Sequence, residues 1–216
     1  MAATPPPRRA DRAMTTSRIR DGVPLPLLWL RVHGLVGYLA AGAVVAACYL
    51  WQRLESADWP FPLSDDFTFL PAVLAVGALL GLGSGVGFLE RRHPGLVGVR
   101  AFTVAAYGVL GAVVLLLRPF SMVEGLPGPL PAIRSFMIAL GIGLIVQVWA
   151  GTALACGLVI VRALVAGQFT QNGDDGVNLL LWDLAPLDAA PPMVAAVVLL
   201  GVGTALHATI GAHRSP

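Results

Sequence analysis

The stretch Ile133–Val165, IRSFMIALGIGLIVQVWAGTALACGLVIVRALV, carries no charge between Arg134 and Arg162. As one α-helix, the 27 residues between those arginines would extend roughly 40 Å. A hydrocarbon core of about 30 Å needs only some 20 apolar residues. The run therefore reads as a membrane span that is tilted or continues beyond the lipid.

Four more stretches read the same way, at about residues 27–51, 69–89, 96–117 and 193–210. Composition agrees: 56% of the 216 residues are hydrophobic and 12% are charged. Soluble domains carry about 25% charge, so a water-facing surface could not be covered. An ordinary soluble enzyme, a disordered chain and a disulfide-stapled secreted domain are excluded. The expected fold is all-α: a polytopic integral membrane helix bundle of five spans over 27–211, with a short tail at 212–216.

Residues 1–26 read as a disordered basic and Pro-rich tail, with Pro5-Pro6-Pro7 and Arg8, Arg9, Arg12, Arg18 and Arg20. Those arginines should face anionic lipid. With this tail in the cytoplasm, ten arginines fall inside (Arg8, Arg9, Arg12, Arg18, Arg20, Arg31, Arg91, Arg92, Arg100 and Arg162). Arg53, Arg118, Arg134 and Arg214 fall outside. Five spans then place the C-terminus outside. Val177–Leu187 is too short to cross and reads as interfacial or re-entrant. All fourteen basic residues are arginine, the codon bias of a GC-rich genome. The expected location is the plasma membrane of a bacterial cell.

Lipid tails are as apolar as leucine, so helices in a bilayer associate through close backbone approach and interhelical hydrogen bonds. Gly77, Gly81 and Gly85 repeat every four residues in the second span and form one stripe. They mark that span as the central helix. Gln147 and Thr152 in the fourth span, with His207 in the fifth, are the candidate polar path.

The chemistry that is missing narrows the function further. No span carries an Asp or Glu in its apolar interior, which argues against an ion-coupled transporter. Absence of lysine excludes Schiff-base and Walker-type sites. Cys48 and Cys156 form no C-x-x-C pair. The expected topology puts them toward opposite faces, too far apart for a disulfide. No metal site is expected; His33 with His93, or His207 with His213, are the pairs the topology leaves through which a heme or metal could be held.

The stretch His33-Gly34-Leu35-Val36-Gly37-Tyr38, followed by Tyr49-Leu50-Trp51-Gln52, resembles the first helix of cytochrome-c-assembly heme-handling proteins. The resemblance covers about twenty residues. That family's tryptophan-rich loop is missing, with only Trp182-Asp183 present, so its function is not carried over.

The expectation is a non-enzymatic accessory or scaffold subunit of a larger membrane complex, in contact with lipid and with other subunits or copies of itself. Nucleic acid is not an expected partner. A homo-oligomeric small-solute transporter or channel is the alternative, and a membrane-embedded heme or redox protein the second.

Overall fold

A computed structural model describes residues 34–54, 69–83, 97–116, 129–171 and 190–211. These residues form six α-helices: α1 (Leu35–Leu54), α2 (Phe69–Gly83), α3 (Val97–Leu116), α4 (Leu130–Ala150), α5 (Thr152–Gln171) and α6 (Ala190–Ile210). No strand occurs among the described residues. Three helices are long and apolar enough to cross a membrane: α3, α4 and α6 from Pro191. Shorter apolar stretches cover Leu35–Leu50, Phe69–Gly83 and Thr152–Ala166.

Proline and glycine set several helix ends. Pro71, Pro131 and the pair Pro191-Pro192 sit in the first turns of α2, α4 and α6. An amide hydrogen would have no partner there, so proline costs nothing. Gly151 follows α4 with φ 86°, and Gly211 follows α6 with φ 79°. Both have the positive φ that glycine adopts at no steric cost where a helix ends. Their N–H groups donate to the carbonyls of Gln147 and His207, at 3.2 and 2.9 Å.

Close contacts give each helix its direction. Gly34 lies against Gly81, while Gly77 lies against Tyr38 and Ala41, so α1 and α2 are antiparallel. Tyr38 reaches Tyr107 and Gly111, and Gly42 meets Val114, so α3 runs with α1. Gly143 meets Leu79, and Gln147 lies at Gly83, so α4 runs with α2. Gly141 meets Leu199 and Leu200, and Gly203 meets Leu144, so α6 also runs with α4. Thr152 sits at Gly83, and α5 packs extensively along α2, so α5 runs back beside it. Successive helices therefore alternate in direction.

Two expectations are corrected here. The segment 133–165 is not one tilted helix but the larger parts of two, α4 and α5, which turn back at Gly151. A charge-free run of 27 residues looks continuous by hydropathy alone. Gly151 in the left-handed region divides it. As a consequence, α6 points opposite to the direction expected for the last span, and its C-terminal end lies at the face where α1 begins. Arg162, expected at a helix end, falls in the middle of α5 and is 9% exposed.

The core runs through α1 to α5. Tyr49, Tyr107, Phe136, Leu74, Leu79, Leu115, Leu140 and Leu144 are among its largest fully buried side chains. At its centre the Tyr38 hydroxyl donates to the Tyr107 carbonyl at 2.8 Å, and the two rings meet edge to face at 4.6 Å. Gly111 makes room for this cluster. A methyl group there would lie 2.6 Å from the Tyr38 oxygen.

Candidate functional site

The polar chemistry that the helices bring together lies at the α4–α5 turn. Gln147 occupies the last turn of α4 and is fully buried. Its Nε2 donates to the carbonyl of Leu79 on α2 at 2.9 Å. The same nitrogen donates to Thr152 Oγ1, the first residue of α5, at 3.0 Å. One amide thus ties three helix ends: the last turns of α2 and α4 and the start of α5. Its carbonyl oxygen Oε1 is buried and has no hydrogen-bond partner.

The sequence permits this meeting through Gly83. A Cβ there would fall on the Thr152 hydroxyl and within 2.9 Å of Gln147 Nε2. Only a residue without a side chain lets the end of α2 approach so closely. Gly151 turns the chain so that Thr152 faces back toward Gln147. Amide orientation follows from the acceptors: reversing it would press Oε1 against the Leu79 carbonyl.

Helix ends reinforce the polarity of the turn. Ala155 N–H donates to the Gly151 carbonyl at 3.1 Å, the first such bond of α5. The N–H groups of Thr152, Ala153 and Leu154 precede it and have no intrahelical acceptor. Trp149, in the last turn of α4, is 68% exposed. A tryptophan at that position suits the boundary between hydrocarbon and headgroups.

Of the expected polar path, the structure joins Gln147 and Thr152 directly. His207 lies on α6 one helical turn beyond Gly203, which packs on α4. It is buried on α6 beside Ala208, whose carbonyl accepts from Arg100 Nη1 at 3.1 Å. Gly77 packs on Tyr38 and Ala41, and Gly81 receives Gly34. Gly85, His33, His93, the arginines of residues 1–26 and Val177–Leu187 lie outside the described residues. Among the described residues, no group of three or more His, Cys, Asp or Glu is placed to hold a metal. Cys48 and Cys156 are both free thiols.

Sequence reading missed the contact between Gly83 and Thr152, and with it the Leu79 carbonyl as an acceptor. A signal existed in Ala150-Gly151-Thr152: a glycine midway in an overlong apolar run, followed by a residue common at helix starts. Arg100, Arg134 and Ser135 are also buried, at 7%, 2% and 1% exposure. Each sits within the first turns of its helix. Comparison of the chain with protein-family models, curated proteins and solved structures found no match in any of the three.

Proposed function

We propose that this chain is an integral membrane protein that crosses the bilayer six times and serves as a non-catalytic subunit of a larger membrane assembly. The alternation of helix directions supports six crossings, with both chain ends on the cytoplasmic side. Arginine distribution fits this arrangement. In a six-span arrangement ten of the fourteen would fall on the cytoplasmic side (Arg8, Arg9, Arg12, Arg18, Arg20, Arg31, Arg91, Arg92, Arg100 and Arg214). Arg53, Arg118 and Arg134 belong to the opposite side, which satisfies the positive-inside rule. A reporter fused after Pro216 should read as cytoplasmic, whereas five crossings would place it outside.

The observation that carries the subunit reading is a pair of small-residue steps turned outward. Ala153 and Gly157 on α5, and Gly201 and Ala205 on α6, are exposed and four residues apart. Nothing lies within 4 Å of a Cβ built at Gly157 or Gly201. The bundle's own packing uses Gly83, Gly111, Gly141, Gly143 and Gly203 and leaves these two untouched. Small-xxx-small faces are the surfaces on which membrane helices associate closely.

Purification in gentle detergent tests the reading. Unlike partners should elute in fixed stoichiometry and be lost from the double variant Gly157→Leu/Gly201→Leu, which leaves the inward contacts intact. A clean homo-oligomer, unchanged by that variant, would sink it. The second reading, a solute-conducting homo-oligomer, is favoured by the buried polar node at Gln147. It predicts solute flux into proteoliposomes that falls when Gln147 is replaced.

A further inference from the structure

Gln147 makes two donations and accepts nothing. Its Oε1 is a strong acceptor held at zero exposure, on the amide whose Nε2 reaches Thr152 at the start of α5. A buried amide oxygen left without a donor costs about 1–3 kcal/mol. The two Nε2 protons are directed to Leu79 O and Thr152 Oγ1. Thr152 Oγ1 already accepts from Gln147, so its own proton remains available to give. An acceptor and a donor therefore sit side by side at a glycine-lined turn, beneath the exposed Trp149.

We propose that the Gln147–Thr152 node is a binding site for a small neutral hydrogen-bonding molecule, and that its ordinary occupant is water. The water donates to Gln147 Oε1 and accepts from the Thr152 hydroxyl. Buried waters in proteins typically hold about three hydrogen bonds to polar groups that lack other partners. The neighbouring N–H groups of α5 provide further donors. Neutral chemistry is required, because the node holds no ionisable side chain among the described residues. The site lies within one turn of the end of α4 and the start of α5. This site does not depend on the subunit reading and would exist in a free-standing bundle.

Nuclear magnetic resonance of the full chain in detergent, with glutamine side-chain amides labelled in ¹⁵N, tests it. Four glutamines give four amide pairs, and Gln147 is assigned by the pair that disappears in Gln147→Leu. Cross-relaxation between water and the Gln147 amide protons is expected. Thr152→Val keeps the shape of residue 152 without its hydroxyl, and the water signal at Gln147 should weaken in that variant, which has lost the group that donates to the water. Should Gln147→Leu not fold, Gln147→Asn supplies the assignment through a displaced pair. No water signal at Gln147 would overturn the proposal. So would a signal left unchanged in Thr152→Val, since the hydroxyl would then hold no water beside Gln147.

Discussion

α4 and α6 have the same length and are both apolar, yet 67% of the most apolar stretch of α4 is buried against 22% for α6. α4 packs against α2, α3, α5 and α6, and α6 chiefly against α3 and α4. At two glycines the contact between α4 and α6 brings backbone close to backbone. Gly141 lies on the backbone of Leu199 and Leu200, and Gly203 on the carbonyl of Gly141. In a bilayer, apolarity does not select which helix goes inside. Position in the packing order is set by where a helix lacks side chains and by which polar group it offers its neighbours. α4 does both, with Gly141, Gly143 and Gln147 on different contacts.

The largest test of this contrast is Gly141→Leu. The added Cβ alone would lie 2.7 Å from backbone atoms of α6, which cannot move aside as a side chain can. We expect a loss of about 3 kcal/mol or more, seen as early thermal unfolding in detergent. Next comes Gly151→Ala, which forces a Cβ onto a backbone at φ 86°. It should cost about 1–3 kcal/mol, read in the same assay, if the turn back into α5 is as sharp as described. Gln147→Leu removes the bonds to Leu79 and Thr152 but keeps an apolar filler. Interhelical hydrogen bonds in membranes are worth about 0.6 kcal/mol each, so a loss near 1 kcal/mol is expected. The smallest effect belongs to α6's outer face. Gly201→Ala should leave stability within about 0.5 kcal/mol of the parent, because nothing lies within reach of its methyl group. Equal effects from Gly141→Ala and Gly201→Ala would erase the distinction between the two faces.

Helical class and the rough positions of α1, α2, α3 and α6 were legible in the sequence because length and apolarity decide them. Gly77 and Gly81 were also visible as a stripe, since a four-residue period is a local property. The role of α4 was not, because its closest contacts pair Gly141 with residues 58 positions away and Gln147 with Leu79. Such contacts leave no periodic trace. The break at Gly151 was hidden for another reason: apolarity continues unchanged through Ala150-Gly151-Thr152, and only backbone φ marks the turn. Gln147 and Thr152 stood out as polar residues in an apolar run. Their joining with an α2 carbonyl required the fold.

The one-residue link at Gly151 has a consequence for how the chain enters a membrane. Arg162 at the middle of α5 makes that helix a reluctant span by itself, since an arginine at mid-depth costs about 2.5–3.5 kcal/mol on insertion scales. α4, with Arg134 its sole charge and that near its start, has no such handicap. Joined by a single residue, the two cannot partition independently. In a chain that crosses as proposed, α5 enters as the passenger of α4, and the pair inserts as one hairpin or not at all.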